Sequence, residues 1–276
     1  MTITDTTITT SDHLELFLRV WGEPSTSKAI VVLVHGIGEH CQRYNHVAEK
    51  MNARELCMVG FDQRGCGLSQ GRRGVINSEE QLMADIGQVL AYANRLNPDI
   101  PIFLYGHSMG ALEVLTFTEK YKPMLKGVIA TSPPLDTSTL STVQKLLIKA
   151  LKPIFPHLVV PSNLYVDGLS RDKNVVRAYR EDELVHDKAS VLLGAFLQDA
   201  PAYVLEHADM WQLPLYLAHG TSDSIAKVAG SDVLAERVKT QDFTYQRWEG
   251  LYHETHNEPE KDVVIASMLD WIIAHN

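Results

Sequence analysis

The sequence predicts an α/β protein in which a mostly parallel central sheet is flanked by helices and carries a helical cap insertion. Three observations predict it. Short apolar runs recur along the chain and end in Gly-containing turns, as in Ala29–Val34 before His35-Gly36 and Ile102–Tyr105 before Gly106. Helical patterns separate most of these runs. One interval, Thr131 to Leu215, breaks the alternation and offers no convincing strand. Continuous apolar runs suit strands buried on both faces of a parallel sheet, and their alternation with helices implies a doubly wound arrangement.

Taken in order, Leu14–Trp21 alternates apolar and polar residues, which suits an antiparallel edge strand paired with Thr2–Thr9. The buried strands follow at Ala29–Val34, Leu56–Phe61, Ile102–Tyr105, Gly127–Thr131, Leu215–Ala218 and Phe243–Trp248. Glu79–Leu96 places Leu82, Ile86, Val89, Leu90 and Ala93 at helical spacing. Within the irregular interval, Val143–Phe155, Asn174–Asp187 and Ala189–Phe196 read as helices, with Pro153, Pro156 and Pro161 as interruptions. Residues 1–135 and 206–276 therefore form two parts of one core. Residues 136–205 form a helical cap over the carboxyl ends of the strands, where α/β sheets bind ligands.

Composition narrows the function. The 276 residues carry a formal net charge of −9, with 45% hydrophobic and 21% charged residues. An acidic chain repels nucleic-acid phosphates. Three cysteines do not make a disulfide framework. Neither a signal sequence nor an apolar run of about 20 residues is evident, so the expected location is cytoplasmic.

Gly106-His107-Ser108-Met109-Gly110 fits G-x-S-x-G between a strand and the helical run Ala111–Tyr121. That context is a nucleophile elbow, the signature of the α/β-hydrolase fold. A serine hydroxyl needs a base, and the partners follow in the order serine, acid, histidine. Asp223 follows the strand Leu215–Ala218, and His253 follows the last strand. Asp232 and Asp242 are alternative acids. His256, expected on the following helix, is the alternative base. The loop His35-Gly36-Ile37-Gly38 follows the first central strand, so the backbone N–H groups of Ile37 and Met109 are the expected oxyanion donors. His253-Glu-Thr-His256 spaces its histidines three apart, not four, and is not a zinc motif. Gly65-Cys-Gly67-Leu-Ser-Gln-Gly71 is one residue too long for a dinucleotide fingerprint, and there is no Walker A sequence. No metal and no cofactor is expected.

The runs His35-Gly-Ile-Gly-Glu39-His40-x-x-Arg43-Tyr44, Asp62-Gln-Arg-Gly-x-Gly-x-Ser69, Gly106–Gly110, Leu169-Ser-Arg171-Asp-Lys and Gly250-x-Tyr-His253 together resemble monoacylglycerol lipases and their lysophospholipase-like relatives. The resemblance runs from about Leu14 to the C-terminus. It implies an acyl-ester hydrolase whose cap lines an apolar acyl tunnel, with a polar end that accepts glycerol. It places Glu39, Arg43, His107 and Tyr179 around that end. Read from spacing alone, Glu39 and Arg43 pair across one helical turn instead. The chain departs from its relatives at Ala111, where a second glycine is common, and at Val175, where relatives carry an acid; its cap has no cysteine. The expected substrate is a small acyl ester, above all a monoacylglycerol. A general carboxylesterase or lysophospholipase is the alternative, and a non-catalytic scaffold is the reading of a different class. Leu147, Leu151, Ile154, Phe155 and Leu158 either face a lipid chain or pack as a helical core. An exposed apolar cap surface would allow transient docking on a membrane.

Overall fold

The computed structural model describes residues 1–139 and 141–276. The chain runs β1 (Ile3–Thr9), β2 (Glu15–Trp21), β3 (Ala29–Val34), α1 (Asn45–Asn52), β4 (Leu56–Phe61), α2 (Glu79–Leu96), β5 (Ile102–His107), α3 (Met109–Tyr121) and β6 (Gly127–Thr131). Then come α4 (Thr142–Leu151), β7 (Val159–Pro161), α5 (Lys173–Glu181), β8 (Lys188–Ser190) and α6 (Val191–His207). The core resumes with β9 (Leu215–Gly220), α7 (Val228–Arg237), β10 (Phe243–Trp248) and α8 (Lys261–Ala274). Eight strands form one sheet in the order β1-β2-β4-β3-β5-β6-β9-β10. β1 pairs antiparallel with β2, and β2 with β4; the pairs from β4 through β10 are parallel. The α/β-hydrolase fold expected from the elbow is therefore present.

Strand pleating splits the core in two. Ile30, Val32 and Val34 of β3 face the cluster built with α2, α3 and α6, while Val31 and Leu33 face α1 and α8. Every residue of β3 and β4 is buried, which is why these strands read as unbroken apolar runs. Removing each such side chain from water contributes about 1.5–3 kcal/mol.

The cap differs from the expectation in four places. Two short strands, β7 and β8, pair antiparallel where no strand was expected; three residues are too few to display an alternation. The helix expected over Asn174–Asp187 stops at Glu181, because Asp182 takes an extended backbone and turns its carboxylate onto the Leu184 N–H and His40. The helix expected at Ala189–Phe196 begins after β8 and continues through Pro201 to His207, so it crosses the expected core boundary and packs along α3. α4 ends at Leu151, before Pro153, and its apolar side does not pack as a core. Leu147, Ile154, Phe155 and Leu158 lie at the surface.

Not every buried group is apolar. Arg64 lies between Asp85 and Asp12 and ties the N-terminal hairpin to α2. Glu113 on α3 is buried with neither carboxylate oxygen hydrogen-bonded. Its neighbour Gln63 commits its amide to the His35 carbonyl. Burial pushes the Glu113 carboxyl well above its ordinary value, with Asp85 adding repulsion. The folded state thus holds this proton more tightly than the unfolded chain, and stability falls as pH rises above the ordinary carboxyl range. Glu113→Leu should raise Tm by about 2–4 °C or more at pH 8 and by little at pH 4, as measured by thermal melts at both pH values.

Candidate functional site

The site forms where β3, β5, β9 and β10 end. At the tip of β5 the chain turns sharply into α3, which sets Ser108 at φ 54°, ψ −121°. A non-glycine residue there is strained, and packing must hold it. A Cβ on Gly106 would come 2.3 Å from the Gly110 carbonyl oxygen, and one on Gly110 would come 2.1 Å from that of Val34. Only glycine at both positions lets α3 press this close to β3 and β5. Ala111, in place of a second glycine, is fully buried without disturbing the turn. The Ser108 N–H donates to the Thr131 carbonyl at 2.9 Å, which anchors the elbow to β6.

Ser108 Oγ lies 2.8 Å from His253 Nε2, and His253 Nδ1 lies 2.7 Å from Asp223 Oδ2. Asp223 accepts only, so the ring carries its proton on Nδ1 and leaves Nε2 to accept from the serine hydroxyl. Asp223 is further held by the N–H groups of Ile225 and Ala226 on Oδ1 and by His219 Nε2 on Oδ2. Burial alone would raise its pKa, but His253 and these donors outweigh it and hold the carboxyl well below the usual range. Burial works to lower the pKa of His253, and the facing Asp223 carboxylate reverses this, raising it above the ordinary imidazole value. Asp232 and Asp242 bond Tyr245 and His275 instead. His256 sits on a 3-10 turn, Thr255–Asn257, not on the following helix. Its ring stacks 4.8 Å from Tyr44, with both nitrogens buried and unbonded.

The loop after β3 is fixed from both sides. His35 Nδ1 donates to the Gly36 carbonyl at 2.8 Å, while its Nε2 accepts from the Gln63 N–H at 2.9 Å. In a trans peptide the C=O and the next N–H point in opposite directions, so the Ile37 N–H is turned away from His35. Met109 occupies the first position of α3, where an N–H has no carbonyl one turn back.

Of the four residues expected at the polar end, Glu39, His107 and Tyr179 border a cavity beside Ser108, and Arg43 does not line it. Gly36, Ile37, Glu39, His107, Ser108, Leu164, Leu169, Tyr179, His253 and Glu254 line a small cavity of about 10 Å³. His107 Nδ1 donates to Thr131 Oγ1, and burial presses its pKa down to about 3, so the ring is neutral. Glu39 and Arg43 form the ion pair expected from their spacing, and Arg43 also makes a two-pronged contact with Glu254 at 2.7 and 2.8 Å. Tyr179 lays its ring 4.7 Å from that guanidinium. On the other side, Ile37, Ile76, Leu82, Met109 and Leu193 border a second, mostly apolar cavity of about 10 Å³. The volume at Ser108 is that of a single water, not of an acyl tunnel.

With this geometry established, known proteins show a consistent likeness. The sequence profile of the family described as serine aminopeptidase S33 matches residues 25–260. The chain belongs to this family. An abhydrolase domain-containing protein of Dictyostelium discoideum is 34% identical over 275 residues, 99% of this chain, which spans 29% of that protein's length. A monoacylglycerol lipase of Mycolicibacterium smegmatis is 32% identical over 258 residues, 93% of this chain and 92% of the relative. The crystal structure of a Paleococcus ferrophilus monoacylglycerol lipase matches with a TM-score of 0.88 and 33% identity over 95% of this chain and 100% of that one. Within the S33 family this chain is a monoglyceride lipase-like serine hydrolase, a carboxylic ester hydrolase by class.

Sequence reasoning missed the supports around the Ser108–His253–Asp223 chain. Ser132 Oγ donates to the His253 carbonyl at 2.8 Å, across 121 positions. Glu258 accepts from the N–H groups of Tyr252 and Arg171 and from the Arg171 side chain, tying the His253 loop to the cap. Glu254 sits inside the run dismissed as a zinc motif, and only its neighbourhood to His253 hinted at a role. Among the described residues no cluster of three or more His, Cys, Asp or Glu has metal-holding geometry.

The His253 ring should titrate above the ordinary imidazole range when followed by NMR of its ring signals. Asp223→Asn should bring that midpoint below the ordinary value, because burial then acts without its counterweight.

Proposed function

We propose that Ser108, His253 and Asp223 act as a catalytic triad on a carboxylic ester, most specifically on a monoacylglycerol. The observation that carries this reading is the unbroken chain from Ser108 Oγ through His253 to Asp223. Ser108 Oγ attacks the acyl carbonyl while His253 Nε2 takes its proton. Asp223 holds the ring and stabilises the imidazolium that forms. The Ile37 and Met109 N–H groups receive the oxyanion. His253 then returns the proton to the departing alkoxide and glycerol leaves. Water, deprotonated by the same ring, releases the fatty acid from Ser108. The mechanism draws on no cofactor.

The surroundings favour a neutral lipid ester. The relatives named above include enzymes called monoacylglycerol lipases. A wider cleft of about 430 Å³ outside the polar end includes Tyr179, Arg180, Asp182, His186 and Asp187 in its lining. The cap, assigned here to residues 136–205, carries an apolar outer face. Val143 is 74% exposed, Ile154 67% and Phe155 55%. Lys145, Lys149 and Lys152 lie along the same stretch. An exposed apolar segment flanked by lysines can bed its apolar side chains in a lipid surface and its lysines among anionic head groups. Among the described residues no helix is long and apolar enough to cross a membrane.

Ser108→Ala should lower turnover of p-nitrophenyl butyrate at least ~10³-fold and abolish labelling by a fluorophosphonate; retained turnover refutes the mechanism. In a panel of acyl chains from C4 to C18, monoacylglycerols should outrun lysophospholipids of equal chain length. Ile154→Glu with Phe155→Glu should weaken co-sedimentation with anionic vesicles about tenfold and leave p-nitrophenyl acetate turnover unchanged.

A further inference from the structure

Arg43 connects two segments that also meet where His256 stacks on Tyr44 and its carbonyl bonds His46. Its guanidinium bonds Glu39 on the loop after β3 and Glu254 on the loop that carries His253. All three side chains are nearly buried, at 9%, 4% and 2% exposure. Each carboxylate is already committed. Glu39 Oε1 accepts from the Gly36 N–H at 2.6 Å and from the Tyr44 hydroxyl at 2.9 Å, leaving Oε2 for Arg43. Glu254 gives both oxygens to Arg43 and also accepts from the Asn257 amide at 2.8 Å. The open face of the guanidinium lies against Tyr179.

A substrate head group therefore meets a cluster whose hydrogen bonds are already made. Glu39 holds the N–H of Gly36, one residue before Ile37, while Glu254 is the residue after His253. Two carboxylates around one guanidinium leave a net charge of −1 beside the ring.

We infer that the Glu39–Arg43–Glu254 cluster is a positioning device: it locks the loop bearing the Ile37 N–H to the loop bearing His253, and its surplus negative charge favours the imidazolium that forms during catalysis. Glu254 is its key member. The inference rests on the triad reading proposed above. It reassigns Glu39 and Arg43 from head-group contact to the alignment of two catalytic loops.

The charged and titratable groups facing His253 are few. Asp223 comes from the turn after β9, Glu39 and Arg43 from the segment after β3, and His107 from β5; Glu254 and His256 share its loop. Tyr179 closes the cap side with a neutral phenol. His107 and His256 are both held neutral by burial, so the balance at the ring is set by Asp223 and the cluster.

Glu254→Gln keeps the shape and removes the surplus charge. We expect kcat on p-nitrophenyl acetate, an ester without glycerol, to fall about 10- to 100-fold with KM changed less than about twofold. The acid limb of kcat/KM should move down by about half a pH unit, because the cluster is then neutral and no longer favours the imidazolium. Glu39→Gln removes the same charge from the other side and should shift the limb in the same direction. It also gives the reading if Glu254→Gln does not fold.

A lower Tm with kcat and the acid limb unchanged in both variants overturns the inference, because the cluster is then only a brace. A rise in KM confined to glycerol esters, with kcat intact on p-nitrophenyl acetate, overturns it as well, because the cluster then contacts the head group. Ser108→Ala separates the two readings: turnover in that variant refutes the triad itself, whatever the cluster does.

Discussion

The architecture of the site depends on one strained residue. Ser108 sits in a backbone region that costs about 1–3 kcal/mol, and the surrounding packing repays it. Gly106 and Gly110 remove the two Cβ atoms that would hold α3 away from the sheet. With α3 in place, the Ser108 hydroxyl projects above the carboxyl ends of the strands and the Met109 N–H is left at the start of the helix. The acid and the histidine come from loops 30 positions apart in sequence, each anchored to a neighbouring strand end. The Ser108 and Met109 placements do not survive if the turn relaxes.

Charge is handled in this core by enclosure and not by avoidance. Arg64 is satisfied by Asp85 and Asp12, and Arg43 by Glu39 and Glu254. Removing one partner from such a group leaves a buried, uncompensated charge, which costs about 3–5 kcal/mol. The conspicuous runs after β3 and β4 are thus largely scaffolding. Asp62 accepts from the N–H groups of Cys41 and Leu68, and Gln63 holds His35 through two bonds. These contacts brace the loop around Ile37.

The core was legible in the sequence because each buried strand is apolar on both faces and the elbow glycines have a steric cause. Asp223 and His253 were legible from chain order and strand ends. The cap was not. Its strands are three residues long, its helices are cut by proline or by the Asp182 turn, and Leu147, Ile154, Phe155 and Leu158 lie at the surface, against the usual meaning of such a stripe. Glu254 and Ser132 were hidden for another reason: their partners lie 211 and 121 positions away, and spacing along the chain carries no information about such meetings.

The contact between Gly38 and His186 has a consequence for how the molecule behaves at rest. The His186 N–H donates to the Gly38 carbonyl at 2.9 Å, and a Cβ on Gly38 would come 2.1 Å from the His186 carbonyl oxygen. One edge of the cap is thereby stitched to the residue next to Ile37. A side chain added at Gly38 would therefore disturb the cap edge and the loop around Ile37 together.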